Sequence, residues 1–239
     1  PAFTVTGNAG HTVTLTMSET LDENGNFTMK NLVTEGSESF AKPVGQQLIY
    51  TLRAGTQTYK PQFLIAGYRY VKVENWPEEV KPENFRSVAV YSDLRELGHF
   101  SCSEEKLNRL MQNISWSRKS NFLDIPTDCP TRERAGWTGD INVFSESACY
   151  LTDPRTFLKK WLRDFVLAQK PDGRFPCIIP NNCNLLLTRY AAGSAGWNDA
   201  IVTIPMMLYR FFGDTEAMEI VYEAAGKYNR YIVMNYDNE

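Results

Sequence analysis

In "SEEKLNRLMQNISWSRKSNF", residues 103–122, the spacing of the apolar residues changes from that of strands to that of a helix. Its apolar residues recur three and four positions apart, at Leu107, Leu110, Met111 and Ile114. This spacing places them on one face of a helix. Ser103 stands just before the pattern and is a residue type that caps helix N-termini. We therefore predict an α-helix capped by Ser103.

Upstream of residue 93 the pattern is that of β-strands. The segments "HTVTLTMSE" (11–19) and "QQLIYTLRA" (46–54) alternate polar and apolar residues. The segments "QFLIAGYRYVKVE" (62–74) and "SVAVYSD" (87–93) are rich in β-branched and aromatic residues. Turn residues separate the segments, as in "DENGNFT". Short strands with turns between them indicate an antiparallel sandwich.

Downstream of that first helix the helical pattern continues to the end of the sequence. Asp153 precedes "PRTFLKKWLRDFVL" and Asp214 precedes "TEAMEIVYEAAGKYNRYIVM", so we expect each aspartate to cap a helix. Residues 197–212 also have a helical pattern. Paired helices of this kind suggest helical hairpins that stack or close into a ring. We predict two domains: a jelly-roll-like β-sandwich at residues 1–95 and a helical domain at residues 96–239.

Composition limits the classes of function. Of the 239 residues, 43% are hydrophobic and 13% aromatic, which is enough for a packed core. The 25 basic and 28 acidic residues are spread evenly, so we expect no nucleic-acid partner. The sequence has no run of about 18 apolar residues, so we expect no membrane insertion. Its first residues lack the features of a signal peptide, and the sequence leaves the cellular compartment open.

Cysteine and histidine offer little material for chemistry. The five cysteines contain no CxxC pair and are odd in number, which argues against a disulfide framework or a zinc site. His11 and His99 are too few for a histidine triad or a histidine metal cluster. We expect no metal and no cofactor. Carboxylates must then carry any chemistry.

The loop "TDCPTRERAGWTGD", residues 127–140, concentrates charged and aromatic side chains without the spacing of a helix or strand. Its three carboxylates, two arginines and one tryptophan are Asp128, Arg132, Glu133, Arg134, Trp137 and Asp140. One interpretation is a salt-bridged surface loop in which Asp140 caps the next helix. The other is a sugar-processing site, because converging acids beside an aromatic ring suit glycosidic bond cleavage.

Cleavage of a glycosidic bond needs an acid that protonates the departing oxygen and a carboxylate that attacks or activates water. Glu133 is our candidate for the proton donor. Arg132 and Arg134 favour its ionised form if they lie close, whereas Asp128 and Asp140 favour its protonated form. The sequence leaves this balance open. We expect Arg132 to hold sugar hydroxyls or an aspartate, while Arg134 points elsewhere.

The loop resembles the signature of the bacterial α-L-rhamnosidases of glycoside hydrolase family 78. That signature runs Asp-Cys-Pro-x-Arg, then a Glu, then Gly-Trp-Thr-Gly-Asp, and it stands here as "DCPTRERAGWTGD", residues 128–140. Many members have an additional Asp before the Glu, so this chain has a form that is shorter by one residue. Two further landmarks follow the family's order: "TYKPQFLIAGYRYVKVENWP" (58–77) and "SAGWNDAIVTIPMMLYRFFGD" (194–214).

The resemblance implies a β-sandwich followed by the N-terminal part of an (α/α)6 barrel, which hydrolyses terminal α-L-rhamnosyl residues with inversion. It implies that Glu133 is the general acid. The substrate-binding residues that it implies are Asp128, Arg132, Trp137, Asp140, Trp197 and Asp199. A core tryptophan with a helix-capping aspartate is the alternative interpretation of Trp197 and Asp199. The indole of Trp137 suits the methyl group of rhamnose through apolar contact.

Inversion requires two carboxyl groups about 6.5–9.5 Å apart, with a water molecule between them. The family's catalytic base is a glutamate in the later barrel helices, and this sequence has fewer helical segments than the ring requires. We therefore expect the base to lie beyond Glu239, which puts the activity of the isolated chain in doubt. The expected partner is a rhamnose-containing glycoside or polysaccharide.

Two other functions stay open at the level of sequence. A carbohydrate-binding or scaffold protein derived from such an enzyme would bind sugar without turnover. Another (α/α)6 glycosidase would act on a different sugar. The aglycone and the oligomeric state are not predicted.

Overall fold

The computed structural model describes residues 1–33, 45–181 and 192–236. These residues contain six β-strands, five α-helices and two short 3-10 helices. The chain divides into two compact units. The β unit is Pro1–Val90 with Pro130–Glu133, and the helical unit is Tyr91–Cys129 with Arg134–Glu239.

In its described residues, the β unit contains two antiparallel sheets of three strands each. The strands are β1 (Ala2–Gly7), β2 (Thr12–Ser18), β3 (Gln47–Thr51), β4 (Gly55–Tyr59), β5 (Tyr70–Glu74) and β6 (Phe85–Arg86), and the 3-10 helices are Lys30–Leu32 and Pro82–Asn84. One sheet has the order β4-β1-β6 and the other has the order β3-β2-β5. All the strand pairs are antiparallel.

Alternation along the strands produces the core of the β unit. Phe3 and Val5 of β1 are buried in one cluster with Val13 and Leu15 of β2, so the two sheets pack face to face. Polar residues occupy the opposite face of β1, where the Thr4 hydroxyl lies 2.8 Å from the Thr58 hydroxyl. The predicted antiparallel sandwich is confirmed.

One predicted strand is wrong, and another is shorter than predicted, because only Tyr70–Glu74 of segment 62–74 form a strand. Residues 87–93 form no strand, because β6 ends at Arg86. Val88 and Val90 are exposed, and the Ser92 backbone N–H donates to the Phe122 carbonyl at the end of a helix. A segment of high β-propensity forms a strand only where it can pair with a neighbouring strand and bury one face.

The helical unit contains five described α-helices. They are α1 (Glu105–Asn121), α2 (Thr138–Leu151), α3 (Arg155–Leu167), α4 (Ala200–Phe212) and α5 (Glu216–Tyr236). Helix α3 buries a continuous stripe made by Leu158, Trp161, Leu162 and Phe165, which packs in one core with residues of α4 and α5. No helix in the described part of the chain is both long and apolar enough to span a membrane. The predicted order of sandwich and helices is confirmed.

The cap of α1 differs from the prediction by one residue. The helix begins at Glu105, and Glu104 rather than Ser103 occupies the cap position. The Glu104 carboxylate accepts a hydrogen bond of 3.1 Å from the Lys106 backbone N–H. This carboxylate satisfies a first-turn donor, and its charge interacts favourably with the positive end of the helix dipole.

The aspartates predicted to cap α3 and α5 do bind the first turns of these helices. Pro154 occupies the cap position of α3, and Asp153 accepts a hydrogen bond of 3.3 Å from the Arg155 backbone N–H. Asp214 accepts one of 3.1 Å from the Ala217 backbone N–H. Each carboxylate therefore satisfies a donor that has no partner within its helix.

Candidate active site

The loop between α1 and α2 is closed by its own aspartate. The Asp128 backbone N–H donates to the Ala135 carbonyl at 3.0 Å, and the Ala135 backbone N–H donates to Oδ1 of Asp128 at 3.0 Å. The Thr127 backbone N–H donates to the Asn121 carbonyl at 3.0 Å, which joins the loop to the end of α1. One carboxylate oxygen of Asp128 therefore shapes the loop.

The start of α2 is held against residues 177–179. The Ile179 backbone N–H donates to the Gly136 carbonyl at 2.8 Å, and the Thr138 backbone N–H donates to the Cys177 carbonyl at 2.8 Å. A Cβ atom on Gly136 would lie 2.0 Å from the Ile179 carbonyl oxygen. Only glycine allows the two segments to approach so closely.

Trp137 and Asp140 lie at the N-terminal end of α2. Trp137 occupies the cap position and is half-buried, and the helix begins at Thr138. Asp140 therefore lies inside the first turn, so the interpretation that it caps this helix is wrong. A carboxylate there still interacts favourably with the positive end of the helix dipole.

Three of the predicted site residues line one cavity in the helical unit. The cavity has a volume of about 550 Å³, and Asp128, Asp140 and Trp197 are part of its wall. Helix α1 contributes Ser117, Arg118 and Asn121, and the apolar wall includes Phe122, Ile141 and Phe144. A cavity of this size with two carboxylates and an indole ring suits a polar ligand that also has an apolar face.

Trp197 belongs to a turn that precedes α4. Its side chain packs so closely on the start of α2 that a Cβ atom on Gly139 would lie 2.8 Å from the indole ring. The Asn142 side chain of α2 donates to the Gly196 carbonyl at 2.9 Å. Helix α2 therefore holds the turn through both a packing contact and a hydrogen bond.

Asp199 uses both carboxylate oxygens inside the helical unit. Oδ2 accepts a hydrogen bond of 2.8 Å from the Gly196 backbone N–H, and Oδ1 accepts one of 3.1 Å from the Tyr228 hydroxyl. Asp199 stands at the cap position of α4, yet its side chain makes no cap hydrogen bond. Burial, reinforced by the Asp199 charge, raises the pKa of Tyr228 far above its ordinary value. The phenol therefore stays protonated and donates at neutral pH.

Arg132 and Glu133 lie in the short segment that belongs to the β unit. The Arg132 guanidinium lies 3.4 Å from Oε1 of Glu133, and the Glu133 side chain is only 17% exposed. Thr131 fixes this segment, because its hydroxyl donates to Glu19 at 3.1 Å and its methyl group packs against Gly67. The glutamate therefore does not project into bulk solvent.

Arg134 follows Glu133 with a left-handed backbone, since its φ is 50°. This conformation costs a residue with a Cβ atom roughly 1–3 kcal/mol and persists where the surrounding structure enforces it. Its guanidinium is half-buried, and burial lowers its pKa. The strain lies next to the predicted proton donor.

Sequence reasoning missed Arg118, a buried cation in the cavity wall. Its side chain is 2% exposed, and its nearest carboxylate is Glu96, at 3.7 Å. Burial lowers the pKa of this guanidinium. The helical pattern of α1 contains no signal for this, because an arginine beside a lysine ordinarily indicates a solvent-exposed face.

Within residues 1–33, 45–181 and 192–236, no group of three or more histidine, cysteine, aspartate or glutamate side chains could hold a metal ion.

Two family descriptions match the chain. Residues 95–239 match the bacterial alpha-L-rhamnosidase 6 hairpin glycosidase domain, and residues 1–91 match the bacterial alpha-L-rhamnosidase concanavalin-like domain. Together they cover both units of the fold. They also identify the helices as part of the barrel that the resemblance implied.

Individual relatives agree with this assignment. An alpha-L-rhamnosidase of Streptomyces avermitilis is 36% identical over 235 residues, which are 98% of this chain and 22% of that protein. The crystal structure of Streptomyces avermitilis alpha-L-rhamnosidase complexed with L-rhamnose has a TM-score of 0.88 at 35% identity, over 99% of this chain and 22% of that chain. The alpha-L-rhamnosidase from Dictyoglumus thermophilum has a TM-score of 0.86 at 28% identity, over 98% and 25%.

The chain thus spans about a quarter or less of the length of these relatives. The matches nevertheless extend over both of its units and include the loop, the cavity and the Trp197 turn. The chain belongs to the bacterial alpha-L-rhamnosidase family.

Proposed function

We propose that this chain is part of a glycoside hydrolase that releases terminal α-L-rhamnose from rhamnosides, with Glu133 as the general acid. We call the longer protein that would contain it the full-length protein. The observation that carries the proposal is the cavity lined by Asp128, Asp140 and Trp197 in a chain of this family. A solved relative that is 35% identical is complexed with L-rhamnose, which supports the choice of sugar.

The roles follow from the chemistry of rhamnose. Its hydroxyl groups donate hydrogen bonds, and Asp128 and Asp140 supply carboxylate acceptors. Its C5 methyl group and ring hydrogens are apolar, and the indoles of Trp137 and Trp197 offer flat apolar surfaces. Arg132 contributes donors to sugar hydroxyls or orients Glu133. A rhamnose-containing glycoside or polysaccharide is therefore the proposed substrate.

In the proposed reaction, the Glu133 carboxyl donates its proton to the glycosidic oxygen as the bond from that oxygen to the anomeric carbon breaks. A water molecule attacks the anomeric carbon from the opposite face and gives a proton to a carboxylate base. The products are the free alcohol of the aglycone and rhamnose of inverted configuration. We propose that the base lies outside this chain.

The test is Glu133→Gln in the full-length protein. We expect kcat on an alkyl α-L-rhamnoside to fall by about 10²–10⁴-fold, while rhamnose binding is retained. The loss should be smaller on a dinitrophenyl rhamnoside, because that leaving group departs without protonation. Glu78→Gln is the matched control, since Glu78 is an exposed carboxylate of the same unit.

Four measurements separate the outcomes. Proton NMR of the first product formed should show the inverted anomer. Unchanged turnover of the alkyl rhamnoside by the Glu133→Gln variant would remove Glu133 from the role of acid. Rhamnose binding without hydrolysis by the unmodified protein would instead indicate a carbohydrate-binding derivative, and hydrolysis of other aryl glycosides alone would indicate another glycosidase.

A further inference from the structure

Side-chain hydrogen bonds of Asn198 and Asp199 hold the turn at residues 193–199. Oδ1 of Asn198 accepts from the Gly193 backbone N–H at 2.9 Å, and its Nδ2 donates to the Pro176 carbonyl at 3.0 Å. Asn198 is fully buried, whereas Trp197 is 44% exposed and lines the cavity. Asn198 therefore anchors the turn beneath an indole ring that is accessible to a ligand.

Asp199 connects this turn to a distant helix. One of its oxygens holds the Gly196 backbone N–H, directly before Trp197. The other oxygen accepts from the hydroxyl of Tyr228, which lies on α5 and is 3% exposed. A buried hydroxyl that donates to a carboxylate makes a hydrogen bond stronger than one between neutral groups. The position of Trp197 is thus coupled to α5 through two hydrogen bonds.

A second connection reaches the same turn from α2. Asn142 donates to the Gly196 carbonyl at 2.9 Å, and its Oδ1 accepts a hydrogen bond from the Thr203 hydroxyl of α4. The backbone of Gly196, the residue before Trp197, is therefore held at both ends: Asp199 accepts a hydrogen bond from its N–H, and Asn142 donates one to its carbonyl. Together with the packing of the indole ring on Gly139, this anchored backbone restricts Trp197 before a ligand binds, which lowers the entropy cost of binding.

We infer that Tyr228 is a positioning residue of the sugar cavity, which acts through Asp199 to hold the indole of Trp197 in its binding orientation. This inference rests on the proposed function, because it assumes that Trp197 contacts the sugar. It assigns Asp199 to support of the cavity rather than to contact with substrate. Tyr228 itself is absent from the described lining of the cavity.

The test is a double-mutant cycle of Tyr228→Phe and Trp197→Phe in the full-length protein. Rhamnose Kd and the KM and kcat for an aryl rhamnoside are measured for each variant. Tyr228→Phe should raise Kd and KM roughly tenfold and change kcat little. In the Trp197→Phe background the same change should alter Kd by less than about twofold, because its effect passes through Trp197.

A control and a second variant keep the test decisive if Tyr228→Phe unfolds. Tyr222→Phe changes an 80% exposed tyrosine of the same helix and should leave Kd unchanged. Asn142→Ala removes the other hydrogen bond on Gly196, at a site outside the core. It should also raise the rhamnose Kd, and this rise should be smaller in the Trp197→Phe background.

The two proposals fail in different ways. Equal effects of Tyr228→Phe on Kd with and without Trp197 would overturn the inference, as would an unchanged Kd in both Tyr228→Phe and Asn142→Ala. An unmodified protein that binds rhamnose but never hydrolyses a rhamnoside would overturn only the proposed activity. The binding cycle would still decide the role of Tyr228 in that case.

Discussion

Gly136→Ala is the change that most directly tests how the candidate site is held. The Cβ atom of alanine would lie 2.0 Å from the Ile179 carbonyl oxygen and 3.0 Å from its carbon. Ordinary contacts between carbon and oxygen begin near about 3.3 Å. The segments at Gly136 and Ile179 would therefore have to separate by roughly 1 Å.

That separation exceeds what the pairing between the segments can tolerate. It would stretch the hydrogen bond from Ile179 to Gly136, which is 2.8 Å long, and the equally long bond from Thr138 to Cys177. Each buried backbone bond contributes about 1 kcal/mol, and each donor left without a partner costs a further 1–3 kcal/mol or so. With relief by local movement, we expect a loss of about 3–5 kcal/mol in the free energy of unfolding.

Hydrogen exchange measured by mass spectrometry can detect this loss locally. The amides of Thr138 and Ile179 should exchange about a hundredfold faster or more in Gly136→Ala. Activity of the full-length protein on an aryl rhamnoside should fall by about a hundredfold, since a shift of 1 Å at the start of α2 moves Asp140.

Gly226→Ala is the matched control, because a Cβ atom there meets only the Arg230 side chain at 3.7 Å. This substitution replaces glycine in the interior of α5, so it should stabilise the protein by about 0.5–1 kcal/mol. If Gly136→Ala exchanged and unfolded like the unmodified protein, the close approach to Ile179 would not fix this site and the reasoning would be refuted.

Two further predictions concern ion pairs at the starts of helices α3 and α5. Lys159→Met should destabilise the protein by about 2–4 kcal/mol in urea unfolding, because it leaves the 6% exposed carboxylate of Asp214 without its ammonium partner at 2.9 Å. The control Arg163→Met removes an ion pair whose two partners are each 53% exposed, and it should cost under about 1 kcal/mol. Equal losses in the two variants would contradict this prediction. Hydrogen bonds from the Arg155 side chain hold the pKa of Asp153 below its ordinary value of 3.8. The ionised Asp153 therefore stabilises the fold above pH 3.8, and this stabilisation is lost as the pH falls through the lower, folded-state pKa. Asp153→Asn should lower stability at pH 7 and flatten the acid side of a stability–pH curve, and an unchanged acid slope would refute this.

Local patterns in the sequence predicted the described helices, three of the six described strands (β2, β3 and β5) and the family. Alternation predicted the strands that became β2 and β3, and a spacing of three and four residues predicted helix α1. These periods are properties of a single strand or helix, so they can be read without knowledge of its neighbours. Segment 87–93 was wrong because a strand also needs a partner, which composition does not reveal.

Contacts between residues far apart in the chain could not be predicted from such local patterns. Nothing in the local sequence shows that Tyr228 donates to Asp199, that Arg118 is buried in the wall of a cavity, or that Gly136 faces the Ile179 carbonyl. These relations arise when separate helices pack, because packing brings together groups whose separation in sequence carries no periodic signal. The sequence therefore identified the residue types of the candidate site within one loop. The contacts that orient these side chains form only when the helical unit folds.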